Sequence, residues 1–138
     1  MRKPKHLFTL HGRGQAMVEF AIIAVSALLL IFGMMNCATA VYDYNYVSFA
    51  AREATRYAAV RGSSSASAAS TTDISNFVIA RSKGLDPSHL SVSTSWLPDN
   101  SPGSAVKVQV SYQFTVAIPF MNSNSLNLSS TSQLVITQ

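Results

Sequence analysis

From Phe20 to Tyr42 the chain runs for 23 residues without a formal charge, bounded by Glu19 and Asp43. At about 1.5 Å per residue this segment makes roughly 35 Å of helix, enough to cross a hydrocarbon core of about 30 Å. Leu28, Leu29, Leu30, Ile31 and Phe32 are its densest part. Ser26, Gly33, Asn36 and Thr39 interrupt it mildly, as is usual where membrane helices pack together. One membrane span is therefore expected. The single cysteine, Cys37, lies inside this run and excludes an intramolecular disulfide. It reads as a small buried hydrophobe. Met34, Met35 and Asn36 ahead of it do not suit a lipidation site.

The formal charge of +4 and the pI near 9.5 come from one end of the chain. Arg2, Lys3, Lys5 and Arg13 lie in the first fourteen residues, which hold no acid. Beyond them Arg52, Arg56, Arg61, Arg81, Lys83 and Lys107 are balanced by Glu19, Asp43, Glu53, Asp73, Asp86 and Asp99. A basic segment ahead of an apolar run keeps the N-terminus cytoplasmic. Nucleic-acid binding needs a basic face on the folded part, and the folded part is neutral; no nucleic-acid partner is expected.

The helical pattern continues past the apolar run. No Pro or Gly occurs between Asp43 and Gly62, and alanine recurs at 50, 51, 54, 58 and 59, which favours helix. Tyr42, Tyr46, Phe49, Tyr57 and Val60 form one stripe flanked by Val47, Ala50, Ala54 and Ala58, with Asn45, Ser48, Arg52, Thr55 and Arg56 opposite. The tyrosines 42, 44 and 46 also suit an interfacial belt at the membrane surface. An amphipathic helix of this kind needs a partner surface, and Tyr42, Tyr46, Phe49 and Tyr57 are its expected packing face. Gly62 suits the stop, and Glu53 is expected to meet Arg56 or Tyr57, with Arg52 solvated.

Residues 63–72 are rich in Ser, Ala and Thr and read as a flexible linker. A short helix is predicted over Asp73 to Lys83, capped by Thr72 and ended by Gly84. The rest is β. Val106, Val108, Val110, Tyr112, Phe114, Val116 and Ile118 alternate with polar residues up to Pro119, the pattern of a long half-buried strand. Leu90 to Leu97 is a strand before it, across the turn-rich segment 98–103. Leu126 to Ile136 is a weaker third strand, or two short ones, after Asn122-Ser123-Asn124. The predicted fold class is α+β: a long N-terminal helix, membrane-spanning in its first half, packed on a small antiparallel sheet. The expected division is a basic leader at 1–14, a transmembrane and amphipathic helix at 15–62, the linker at 63–72, and a small α+β domain at 73–138.

The chemistry concentrates at Gly14-Gln15-Ala16-Met17-Val18-Glu19-Phe20. A carboxylate at the margin of a span is costly, about 2.5–3.5 kcal/mol at mid-bilayer and less near the interface. Cleavage after Gly14 would give Gln15 a free amine, and a neighbouring subunit's Glu19 could pair with it and set axial register. The simpler alternative is that Glu19 marks the cytoplasmic edge of an ordinary span.

This stretch resembles the type IV prepilin class, and in particular the TadE-like pseudopilins of tight-adherence (Flp, type IVb) pilus systems. Gly14 matches the residue before the scissile bond, Glu19 the acid at the fifth mature position, and Phe20 the aromatic after it. Tyr42-Asp43-Tyr44 and the block Ala50-Ala51-Arg52-Glu53-Ala54-Thr55-Arg56-Tyr57-Ala58 look like the family's segment just outside the membrane. The resemblance covers roughly residues 12 to 60. It implies a pilin-like fold and processing between Gly14 and Gln15 by a membrane-embedded prepilin peptidase. Glu19 and Phe20 would then serve assembly, with other pilin-like subunits, the pilus assembly machinery and membrane lipid as partners. It also implies the bacterial inner membrane, with the N-terminus cytoplasmic and the C-terminal domain periplasmic or extracellular. The major pilins of such systems are very short, so this chain's sizeable domain points to a minor pilin.

A competing reading stays open. It makes the chain an exported binding domain, either permanently anchored or freed near Val41 because Ala38-Thr39-Ala40 resembles a signal-peptidase site; against release, the apolar run exceeds the usual signal core and Glu19 sits at its start. An enzyme is not expected. His6 and His11 lie in the leader, leaving His89, and the chain has no metalloprotease, nucleophile-elbow or phosphate-loop motif and no Cys/His metal cluster. Asp86, Ser88 and His89 read as loop residues. No cofactor, metal or catalytic residue is assigned.

Overall fold

The computed structural model describes residues 11–117, 119 and 123–137. The basic residues at 2, 3 and 5, Ile118 of the alternating pattern and Asn122 of the expected turn lie outside them. Within this range the elements run α1 (His11–Ala59), α2 (Thr71–Arg81), a 3-10 turn (Pro87–His89), β1 (Leu90–Leu97), β2 (Ala105–Val116) and β3 (Asn124–Val135). The strands form one antiparallel sheet in the order β1-β2-β3. The fold is α+β, with the long apolar helix laid against a small sheet.

The sheet follows from the alternation in β2. Val106, Val108, Val110 and Phe114 are buried on one face, while Lys107, Gln109, Gln113 and Thr115 face water on the other. Register carries the pattern sideways: Val110 pairs with Val92 and Ser130, Val108 with Thr94 and Ser132, and Val106 with Trp96 and Leu134. β3 is one continuous strand rather than two, because twelve-residue β2 offers it a full-length partner. Gly103, at φ +90°, completes the connection from β1, a backbone conformation that favours glycine.

α1 is continuous from the apolar run into the domain, and only its distal part is buried. Its buried residues there are Asp43, Val47, Ala50, Ala51, Ala54, Thr55, Ala58 and Ala59. The aromatic stripe is not the packing face as a whole. Tyr42 is 60% and Phe49 56% exposed, whereas Tyr46 and Tyr57 pack at the margin of the core. The helix is turned by about a third of a turn, at 100° per residue, toward the alanines. The physical reason is approach distance. On β3, Ser130 and Ser132 hold the inward positions paired with Val110 and Val108, so small residues meet small residues and the two backbones come close. Thr55, fully buried, donates its hydroxyl to the Ala51 carbonyl at 2.6 Å and reaches the Ser132 carbonyl at 3.4 Å.

Both ends of the covered region are tied by hydrogen bonds. At the distal end α1 stops at Ala59, short of Gly62, and the Ala59 carbonyl accepts from the backbone N–H of Thr137 at 3.0 Å. An orphan carbonyl of the helix terminus thus finds a partner in the chain after β3. At the proximal end Asn36 meets the chain just past β2. Its side-chain oxygen accepts from the Ala117 N–H at 3.1 Å, and its amide donates to the Ala117 carbonyl at 2.9 Å.

The Ser/Ala/Thr tract is shorter as a linker than expected. Ser63 donates to Asn100, Ala69 is buried and donates to Arg61, and the helix begins at Thr71. Ser70, not Thr72, is the cap. Its hydroxyl accepts from the Asp73 N–H, and the Asp73 carboxylate takes the Ser70 N–H at 3.0 Å, a reciprocal capping box. α2 ends at Arg81 with Ser82 as its C-cap, two residues before Gly84. It buries Ile74 and Val78 against β1 and α1.

Candidate processing and assembly segment

The segment singled out by its chemistry lies on the uncovered part of α1. Gly14, Gln15, Glu19 and Phe20 are all exposed on one uninterrupted helix, with Phe20 at 73%. Gln15 and Glu19 are four residues apart, so they sit one above the other on the same face. A Cβ built on Gly14 meets nothing within 4 Å. The fold therefore makes no demand for glycine there, and any requirement for it must come from outside the chain.

Around this segment the helix offers an apolar surface to its surroundings. Met17, Val18, Ile22, Ile23, Leu28, Leu30 and Met34 are each more than half exposed. Such a surface is stable in lipid or against other helices, not in water. Three polar side chains in the run answer local carbonyls: Ser26 bonds Ile22, Asn36 bonds Phe32 and Thr39 bonds Met35. Cys37, expected as buried, is exposed on the helix surface. It remains in apolar company only if lipid or another helix covers it.

The four aromatic positions divide. Tyr57 stacks on Phe77 of α2 with ring centroids 4.2 Å apart, and Arg61 lies over the tyrosine ring while donating to its hydroxyl at 2.7 Å. Tyr46 donates its hydroxyl to the Arg81 carbonyl. Tyr42 and Phe49 stay outside, Phe49 at the rim of a groove shared with Phe77, Val78 and Arg81. Glu53 is paired with Arg81 of α2 at 3.3 Å rather than with Arg56 or Tyr57; the partner is 28 residues away and invisible to helix spacing. Arg52 is exposed.

Three acidic environments stand out. Asp43 is buried at the start of the covered region, and burial raises its carboxyl pKa. Asp73 is held below the ordinary carboxylate value by the Ser70 hydroxyl and then by the Ser70 N–H. Asp86 accepts from the backbone and hydroxyl of Ser88, so it caps the 3-10 turn. The loop assignment of Asp86, Ser88 and His89 thus has a local structural basis.

Sequence reasoning missed Asn36 as a docking residue and Ser70 as the cap. Nothing local marks Asn36, whose partner is 81 residues away. The Ser-x-x-Asp spacing does mark Ser70.

Fold and segment together define a class: an α+β protein with one apolar helix long enough to cross a membrane, whose distal half carries the sheet. The family model of TadE-like proteins matches residues 14–56. The match opens at Gly14 and closes inside the Ala-Ala-Arg-Glu block, and is consistent with a TadE-like protein of Tad pilus systems. No curated protein and no solved structure matches the chain.

Proposed function

We propose that the chain is a minor, pilin-like subunit of a Tad pilus system, matured by prepilin peptidase cleavage between Gly14 and Gln15, with a structural rather than a catalytic role. The observation that carries this reading is the family match that begins at Gly14, on a helix exposed throughout the segment. The cut would remove the basic leader and give Gln15 a free amine within reach of a Glu19 carboxylate, on its own helix or a neighbour's. In a low-dielectric helix bundle, pairing offsets the desolvation that an isolated carboxylate would suffer. The peptidase, other pilin-like subunits and the assembly machinery are the partners of this reading. The inner membrane is its location, with the sheet domain on the outer side.

Continuity of α1 supports retention of the span. Ala38, Thr39 and Ala40 lie within unbroken helix, and release after Ala40 would cut away Asn36 and its hold on Ala117. Mass spectrometry of the mature chain in its host tests the proposal. A new N-terminus at Gln15 supports it, one near Val41 indicates release, and an intact leader refutes processing. Gly14→Val has no steric consequence within the fold. It is expected to leave the leader attached and abolish piliation; normal pili with an uncut leader would sink the mechanism. Glu19→Ala is expected to be cut normally but to assemble poorly.

A further inference from the structure

The face of α1 that carries the sheet does not stop where the apolar run begins. Val47, Ala50, Ala54 and Ala58 are buried there. At 100° per residue the same face continues backward through Asp43, Asn36, Phe32, Leu29 and Val25. Its proximal apolar positions stay exposed, yet the chain after β2 touches them. Pro119 shares a small apolar pocket with Val25, Leu28, Leu29 and Phe32, and Asn36 holds both backbone polar groups of Ala117. The chain just past β2 thus lies alongside a segment that by sequence belongs to the membrane.

At Ala117 these contacts answer the demand that lipid makes of irregular backbone. Non-helical chain is tolerated at membrane depth only where protein covers it and its polar groups are satisfied. The Asn36 side chain supplies both partners for Ala117 and donates its other hydrogen to the Phe32 carbonyl. Pro119 has no N–H to satisfy. An asparagine in an apolar run is expensive unless paired, and here its pairing is nearly complete. In the sequence Ile118, Phe120 and Met121 flank Pro119, and the usual turn residues Asn122 and Ser123 come only after this apolar stretch.

Depth then decides where the bilayer lies. Were the outer edge of the hydrocarbon at Tyr42, the contacts with Val25–Phe32 would lie roughly 15–25 Å below it at the standard rise. The polar residues Gln113, Thr115, Asn124 and Ser125 would be drawn down with them. A span needs about 20 residues, and the stretch from Gln15 to about Met34 provides them. On the anchoring reading of α1, we propose that the chain just past β2, held by Asn36 and seated through Pro119, is a second lipid-contacting element. The outer edge of the hydrocarbon lies near Asn36, and Tyr42 stands in water about 9 Å further out, from six residues of helical rise.

The full chain in phosphatidylcholine/phosphatidylglycerol vesicles tests this by spin-label accessibility to oxygen and to a water-soluble nickel chelate. Each label is introduced singly in a Cys37→Ser background, at Leu28→Cys, Ala117→Cys, Pro119→Cys, Tyr42→Cys or Ser101→Cys. Labels at 28, 117 and 119 are expected to be oxygen-accessible and protected from nickel, and those at 42 and 101 nickel-accessible. Nickel access at 117 and 119, or protection at 42, with 28 in lipid, overturns the inference while leaving the anchor intact. Nickel access at 28 refutes the anchor itself. Asn36→Leu is expected to make the Ala117 label nickel-accessible, with Trp96 fluorescence reporting that the sheet remains folded. An unchanged label environment in that folded variant removes the docking role of Asn36.

Discussion

Replacing Ala54 with leucine tests the seam between α1 and the sheet. Ala54 has no exposed surface and belongs to the cluster that includes Ala51, Ala58, Val106, Val108 and Val110. If the seam had room, the added carbons would stabilise by about 0.8 kcal/mol per buried methylene. Relaxing outward is hindered, because α1 is tied to Ala117 at Asn36 and to Thr137 at Ala59. Overpacking then dominates, at about 1–3 kcal/mol, which for a domain of this size lowers Tm by roughly 4–8 °C for each kcal/mol. The assay is thermal unfolding of the full chain in a mild non-ionic detergent, followed by Trp96 fluorescence and near-UV circular dichroism. Phe49→Ala is the control. At 56% exposure it is expected to cost no more than about 1 kcal/mol, against about 3–5 for a core phenylalanine. A Phe49→Ala collapse with an unperturbed Ala54→Leu would restore the aromatic stripe as the packing face and refute the small-residue seam.

The capping box predicts that Ser70→Ala destabilises by about 1 kcal/mol, read as a lowered midpoint in urea, with an unchanged midpoint arguing against the cap. Asp43→Asn is expected to stabilise the domain near neutral pH. Burial raises the Asp43 pKa in the folded state, so folding takes up a proton and wild-type stability falls as pH rises from 3.8 through the folded value. The variant should lose that component of the pH dependence; equal slopes for both proteins would contradict it. Asp73, Asp86 and Asp99 have the opposite sign. Their pKa values are lowered by hydrogen bonds from Ser70, Ser88 and Ser104 respectively, so the stability they contribute is present above 3.8 and lost as pH falls through their folded values. Urea midpoints measured from neutral pH down to pH 2 are expected to fall with acidification below that point, and more shallowly for Ser70→Ala.

The strands were legible because alternation reports burial directly. β1 occupies Leu90–Leu97 as read, and β2 departs from its pattern by a residue or two at each end. The face of α1 was harder to read. Hydrophobic pattern weights Tyr42 and Phe49 above alanine, but close approach to Ser130 and Ser132 selects the smallest side chains. The linker was misread because Ser, Ala and Thr are shared by flexible tracts and helix caps, and only Asp73 three residues on distinguishes Ser70. Asn36 with Ala117 and Glu53 with Arg81 lay beyond local pattern, since each pair is made by the tertiary fold. In the candidate processing segment the converse holds. Gly14 and Glu19 stand out in sequence, yet the isolated chain gives them no partner.

The absence of any break in α1 between the anchor and the sheet has a mechanical consequence. From Asn36 to Ala59 the helix rises about 35 Å beyond the proposed hydrocarbon edge. With tethers at both ends of that stretch, helix and sheet swing as one stiff lever. A tilt of about 20°, the average for membrane helices, would carry the far end of the domain sideways by about 12 Å. Neighbouring spans that reset the tilt would therefore move the outer domain by several side-chain widths without bending a hinge. Events in the plane of the membrane would be transmitted outward as displacement.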